Sequence, residues 1–288
     1  MCCFVCVRVL LIVVSLAMWS SILGCTIETP DAALISAEVY SDVTTEQQDT
    51  CDVAVVDGDV VVDDDSGMAA LAGVKAIRGT LSVVDARLTE LRGLECLEEV
   101  GSLEISGNSE LATLSGLEAL TTVRDDLTIE GNPRLNSLDG LDSLREVGGG
   151  LSVVDNQSLL DFDGLATLER IGGDLTVWNN PALEHIEALS SIERIPGNLV
   201  LWNNDAILSL AGLESLAQVE LNVLIGFNDA LEDLRLESLS NVGHLVSIVY
   251  NPRLSSCDAQ RVVEALMSSD EDGVFEHDVV GNAADECG

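Results

Sequence analysis

Leu127 to Val147, L-T-I-E-G-N-P-R-L-N-S-L-D-G-L-D-S-L-R-E-V, is the unit from which this chain is built. Apolar residues stand at offsets 0, 2, 8, 11, 14, 17 and 20 from Leu127, with Asn132 at offset 5. The pattern restarts at Leu81, Leu103, Leu127, Leu151, Leu175, Leu199, Val223 and Val246, at spacings of 22, 24, 24, 24, 24, 24 and 23 residues. A fixed period of this size marks a solenoid, because a single copy is too small to bury its own apolar face. Each copy opens on a short strand, L-x-[I/V], with offsets 0 and 2 inward and offsets 1 and 3 outward.

A turn follows, with Asn at offset 5: Asn108, Asn132, Asn156, Asn180, Asn204, Asn228 and Asn251. An amide repeated at one buried position predicts a ladder that satisfies turn backbone in its own coil and the next. Glycines at offset 13 (Gly116, Gly140, Gly164 and Gly212) predict the next corner. G-L-x-x-L predicts a helical turn or second strand, and [V/I]-G-G a closing corner.

The units L-x-[I/V]-x-x-N-x-x-L-x-x-L-x-G-L-x-x-L-x-x-[V/I]-G-G over residues 80–251 resemble the receptor L-domain family. That resemblance implies a mainly β, right-handed, single-stranded β-helix, a leucine-rich-repeat-like solenoid with short helical caps. The family occurs in growth-factor receptor ectodomains and in bacterial surface proteins, and the bacterial form is the nearer likeness. The resemblance implies a binding module and names no ligand.

Outside the repeats, residues 1–24 read as a signal peptide: Arg8, then an apolar run from Val9 to Trp19 too short to span a bilayer comfortably. Ile22-Leu23-Gly24-Cys25 resembles the lipobox of bacterial lipoproteins, although Leu23 stands where that motif usually has Ala, Ser or Thr. The resemblance implies acylation of Cys25 and, with Thr26 rather than Asp behind it, retention at the outer membrane or cell surface. A plain secretory signal cut nearby is the alternative. Residues 25–50 read as a flexible tether. In the N-terminal cap, 51–79, Asp57-Gly58-Asp59 between two valine-rich runs predicts a hairpin, and Met68–Val74 a short covering helix. In the C-terminal cap, 252–288, Cys257–Met267 predicts an amphipathic helix and Val279-Val280 a last strand.

With Cys25 taken by lipid and Cys2, Cys3 and Cys6 lost with the signal, Cys51, Cys96, Cys257 and Cys287 remain. Four cysteines in an exported chain allow three pairings. Cys257 and Cys287 bracket the C-terminal cap and are paired here, which leaves Cys51 with Cys96. A zinc site is the alternative, but no C-x-x-C spacing supports it.

The chain carries 50 acidic and 13 basic residues, a net charge of -37, which repels phosphate backbones and argues against nucleic-acid partners. No catalytic constellation, phosphate loop, dinucleotide fingerprint or metal signature is present, so the sequence predicts no enzyme, cofactor or metal. Asp57, Asp59, Asp63, Asp64 and Asp65 lack a calcium-loop signature and read as a solvated edge.

The outward offset-3 column reads Ser106, Glu130, Val154, Trp178, Trp202, Gly226, Val249. Stacking of Trp178 beside Trp202, flanked by Val154, Val200, Leu224 and Phe227, predicts an apolar strip fit to bind a protein or glycan. The competing reading is an aromatic ladder that only stiffens the sheet. The function expected is that of a lipid-anchored, non-enzymatic recognition or adhesion protein at the cell surface. The alternatives are a structural envelope component and, behind it, a carbohydrate-active β-helix.

Overall fold

The computed structural model describes residues 51, 54–269 and 276–283. Of the chain's two compact units, Met1–Ala32 lies outside those residues, and Ala33–Gly288 carries the fold. The expected signal segment, Cys25, the tether and Cys287 also lie outside them.

Strands β1 (Ala54–Val56) and β2 (Val60–Val62) precede helix α1 (Asp65–Ala70) and the long strands β3 (Val74–Val84) and β4 (Glu99–Ser106). Each later coil then supplies a two-residue strand and a longer one. These are β5 (Thr122–Val123) and β6 (Leu127–Glu130), β7 (Glu146–Val147) and β8 (Leu151–Val154), β9 (Arg170–Ile171) and β10 (Leu175–Trp178). Next come β11 (Arg194–Ile195) and β12 (Leu199–Trp202), β13 (Gln218–Val219) and β14 (Val223–Gly226), β15 (Asn241–Val242) and β16 (Leu245–Val249). Helix α2 (Ser256–Ser269) and strand β17 (Glu276–Val280) follow.

The result is a mainly β, parallel-strand solenoid of about 8 turns. Its long sheet runs β2-β3-β4-β6-β8-β10-β12-β14-β16-β17, every pair parallel. Leu103, Leu127, Leu151, Leu175, Leu199, Val223 and Val246 are successive register partners. The period-two alternation sends them inward, where each is essentially without solvent contact. The leucines at offsets 8, 11, 14 and 17 fill the rest of the same continuous core. Each fully buried side chain contributes about 1.5–3 kcal/mol against conformational entropy.

The offset-5 asparagines run down that core, each at 0% exposure. The Asn132 backbone N–H donates to Asn156 Oδ1 (3.1 Å), and Asn132 Nδ2 donates to Ile105 O of the coil before (2.9 Å) and to Glu130 O of its own (3.1 Å). The same arrangement recurs at Asn156 and Asn180. A dry turn therefore leaves these polar groups paired. Ala86 ends the ladder at one end, its N–H donating to Asn108 Oδ1. Asn282 adds a rung at the other by accepting from Asn251 N–H.

The opposite wall differs from a bare corner. The expected [V/I]-G-G corner is a second parallel file, β1-β3-β4-β5-β7-β9, followed by a separate β11-β13-β15. Its break has a local cause. Gly148 N–H donates to Val123 O, Gly172 N–H to Val147 O and Glu220 N–H to Ile195 O. The corresponding position between β9 and β11 is Pro196, which has no N–H to offer Ile171.

The hairpin expected at Asp57-Gly58-Asp59 does not form. Both β1 and β2 pair in parallel with β3, so 54–62 is the first half-coil. Gly58 turns the corner at φ +100°, while Asp59 accepts from Thr80 N–H and Asp57 pairs with Arg78, fastening the corner to the next coil. In the 23-residue coil the exposed Glu237 stands where leucine usually points inward. Leu236 takes the core place instead, one residue early, behind Arg235 at φ +49°.

Both ends are covered. Asp64 caps α1 through Ser66 N–H and Gly67 N–H, and the helix lays Met68 on the first coil. Helix α2 buries Ala259, Val263 and Leu266 over the last. Cys51 and Cys96 form a disulfide, Cα–Cα 5.4 Å. Cys257 is also disulfide-bonded; Cys287 lies outside the described residues.

Candidate functional site

The outer face of the long sheet changes character along the solenoid. At offset 1 it reads Ser82, Glu104, Thr128, Ser152 and Thr176, then Val200, Leu224 and Ser247. At offset 3 it passes from Ser106 and Glu130 to Val154, Trp178 and Trp202. The first half is hydroxylated and acidic, the second apolar. Glu130 sits among Glu104 and Asp155. Partial burial first, then the charges of Asp155 and Glu104, hold its carboxyl above the usual carboxylate range.

In the apolar half, Val154, Val200 and Leu224 are buried although they point away from the core. Trp178, Trp202 and Phe227 remain half-buried, as does Tyr250. Trp178 and Trp202 are register partners on β10 and β12. Among the described residues the ring contacts lie further along the face: Trp202 to Phe227 at 5.1 Å and tilted, Phe227 to Tyr250 at 4.9 Å and stacked. Such pairs contribute about 0.5–1.5 kcal/mol each beyond area burial. Ser247 Oγ, in the same face, is buried with no hydrogen-bond partner among the described residues.

Phe227 and Tyr250 occupy an unusual backbone column. Offset 4 is left-handed in coil after coil: Asp85, Gly107, Gly131, Asp155, Asn179, Asn203, Phe227 and Tyr250 all have φ between +52° and +69°. Gly, Asn and Asp suit that conformation, whereas an aromatic residue there is strained by about 1–2 kcal/mol. The ring stack compensates a cost that the sequence did not need to incur.

Polar files border the face on both sides. At offset 4, Asn179 Nδ2 donates to Asp155 and Asn203 Nδ2 to Asn179 Oδ1 (2.6 Å). Just before the strands, Asn198 Nδ2 donates to Asp174 Oδ1 (3.0 Å) and Asn222 Nδ2 to Asn198 Oδ1 (2.7 Å). The offset-4 file ends beside the aromatic cluster and the other at the far border of the face, and Asn203 Oδ1 and Asn222 Oδ1 accept nothing among the described residues. Sequence reasoning passed over Tyr250, Asn203 and Asn222. The available signal was the recurrence of Asx residues at offsets 4 and -1.

His185 lies beside Glu184 and Glu187, and His244 donates its backbone N–H to Leu221 O. Among the described residues no group of His, Cys, Asp and Glu is placed to hold a metal ion, and no helix is long and apolar enough to cross a membrane.

Residues 96–188 match the family model described as Receptor L domain. The matched stretch runs from the end of the first coil into the fifth, through Asn108, Asn132, Asn156 and Asn180 of the ladder and Trp178. No curated protein matches the chain. A receptor L domain on a parallel solenoid suits a ligand-binding, non-enzymatic protein.

Proposed function

We propose that this protein is a lipid-anchored recognition protein of the bacterial cell surface, and that it binds its ligand through the outer face of β10, β12, β14 and β16. The observation that carries the reading is the group of half-buried aromatic side chains, Trp178, Trp202, Phe227 and Tyr250, gathered on one rigid sheet face. Large aromatic groups on a pre-ordered surface bind at low entropic cost. The Receptor L domain match is in keeping with that role. The lipobox-like Ile22-Leu23-Gly24-Cys25 and the run 25–50 would supply the anchor and the spacer.

Replacing Trp178 and Trp202 together by Ala tests the reading. Binding of the purified domain to intact cells or envelope fractions should fall while the melting temperature holds within a few degrees. Mass spectrometry of protein from envelopes should find an acylated Cys25 at the new N-terminus, and an unmodified thiol there would remove the anchor. A second reading has one observation in its favour: the rings pack on each other, as a ladder that only stiffens a spacer would. It requires the opposite result, a lower melting temperature with unchanged binding.

A further inference from the structure

Gly226 lies within strand β14 at a position with no backbone need for glycine, since its φ is not among the positive ones. A glycine inside a strand marks a close approach by something else. A Cβ at Gly226 would meet Cζ3, Cε3 and Cη2 of Trp202 at 2.6, 2.9 and 2.9 Å. Three ring atoms at nearly equal distance mean that the indole lies flat over Gly226, one face on the sheet. Gly281 receives the Tyr250 ring in the same way, with Cδ1, Cε1 and Cγ at 2.5, 2.9 and 3.2 Å from its Cβ position. Both rings are half-buried, and Phe227 packs between them, tilted on Trp202 and stacked on Tyr250, so the exposed aromatic surface is shared by the three rings.

Resting on the recognition reading above, we propose that this surface binds an uncharged oligosaccharide, with the Trp202–Phe227–Tyr250 cluster as its stacking platform and Asn203 and Asn222 as hydrogen-bonding edges. Pyranose rings have apolar C–H faces that settle on an aromatic face, where the negative quadrupole meets weakly positive hydrogens. Their rims are hydroxyl donors and acceptors. The edges of this face offer neutral carboxamides with open oxygens, Asn203 Oδ1 and Asn222 Oδ1. A few placed polar groups around an apolar floor are what orients such a ligand. Charge decides the class of sugar. Asp205 and Asp229 stand exposed on the adjoining turn, and the chain carries -37 overall, so uronates and sulfated glycans are repelled. The strain accepted at Phe227 and Tyr250 and the glycines beneath the rings share one consequence: a flat aromatic surface about two to three strands wide, some 10–15 Å at the usual strand spacing. That length matches a few linked sugars rather than one.

The test uses cellohexaose, maltohexaose and chitohexaose as neutral probes and a heparin hexasaccharide as the anionic control, read by saturation-transfer NMR and calorimetric titration. At least one neutral probe should bind saturably in the micromolar-to-millimolar range common to weak ligands, and the heparin fragment should not. Trp202→Leu should weaken binding by about tenfold, and Asn203→Gly, which keeps the left-handed backbone, and Asn222→Ala by about fivefold each. Gly226→Ala keeps the tryptophan but lifts the ring, and should weaken binding as Trp202→Leu does while shifting tryptophan fluorescence. Melting temperatures identify any variant that fails to fold. Absence of saturable binding by all three neutral probes, or binding that survives both Trp202→Leu and Gly226→Ala, overturns the proposal. If cell-surface binding still depends on Trp178 and Trp202 when the sugars fail, the recognition reading stands without the saccharide; if that dependence is also missing, both fall.

Discussion

Replacing Asn180 by Ala removes one rung from a ladder that has no water to fall back on. Asn180 is wholly buried. Its Oδ1 accepts from Asn156 N–H (3.0 Å), and its Nδ2 donates to Val153 O (2.9 Å) and Trp178 O (3.1 Å). In the variant Asn156 N–H loses its acceptor, a buried orphan worth about 1–3 kcal/mol. The vanished carboxamide leaves a void of roughly 40 Å³, adding about 1 kcal/mol at the usual cost per volume. The expected loss is thus about 3 kcal/mol, a large part of an ordinary domain's stability. Asn156 itself keeps its Nδ2 bonds to Ile129 O and Val154 O, so the damage is local. Urea unfolding followed by circular dichroism measures the loss, and hydrogen exchange at the Asn156 amide locates it. Because a solenoid need not unfold in one step, the exchange measurement is the sharper of the two. Asn282→Ala, at the half-exposed last rung, should cost only about 1 kcal/mol because water can reach Asn251 N–H. A loss below about 1 kcal/mol at Asn180, or unchanged protection at Asn156, would mean that the ladder is not what pairs this turn.

Other consequences follow from single features. Glu130 is held above its ordinary pKa, so the folded chain takes up its proton more readily than the unfolded one, and stability falls as pH rises through that window. Glu130→Gln should therefore raise the melting temperature slightly at pH 7 and flatten its pH slope. Glu99 is the reverse case: hydrogen bonding to Arg124 lowers its pKa, so its contribution is lost as pH falls, and Glu99→Gln should destabilise most near neutral pH. Removing the Cys51–Cys96 disulfide, which joins residues 45 apart, should cost up to about 4 kcal/mol by loop-closure entropy, read by denaturation with and without reductant. Pro196→Gly should supply the missing N–H toward Ile171 O, giving a newly protected amide at residue 196 by hydrogen exchange, with net stability moving by no more than about 1 kcal/mol.

The core of this fold was legible because its period is long, repeated and chemically simple. Leu103 through Leu199 could be placed in one inward file from spacing alone, since a slip of one residue would turn every side chain outward. The caps were readable from the apolar run at Met68 and from the apolar spacing after Cys257, although the first helix forms at Asp65–Ala70, with Asp64, read as part of a solvated edge, as its N-cap. The second file of strands was not, because two residues such as Arg170-Ile171 are too few to show a period of two. The hairpin expectation at Asp57-Gly58-Asp59 failed for a related reason. A Gly-containing turn between valine runs serves a solenoid corner as well as a hairpin, and only the pairing of β1 and β2 with β3 tells them apart.

At the candidate site, sequence reasoning found Trp178 and Trp202 by column and Phe227 as their flank but missed Tyr250 and the bordering amides. The offset-4 column hides its left-handed backbone wherever Phe227 and Tyr250 replace Asn or Gly. The purpose of Gly226 is likewise invisible until the Trp202 ring is seen above it.

Successive coils stack in register and present one outer face. Pulsed dipolar spectroscopy with bio-orthogonal spin labels at outward positions of that face measures this directly. From Ser82 to Thr176 lie four coil steps, and from Ser82 to Asp278 eight. At about 4.8 Å per step the separations should be near 19 Å and 38 Å, doubling as the number of steps doubles. Distances that fail to grow in that proportion, or a broad distribution without a peak, would contradict it.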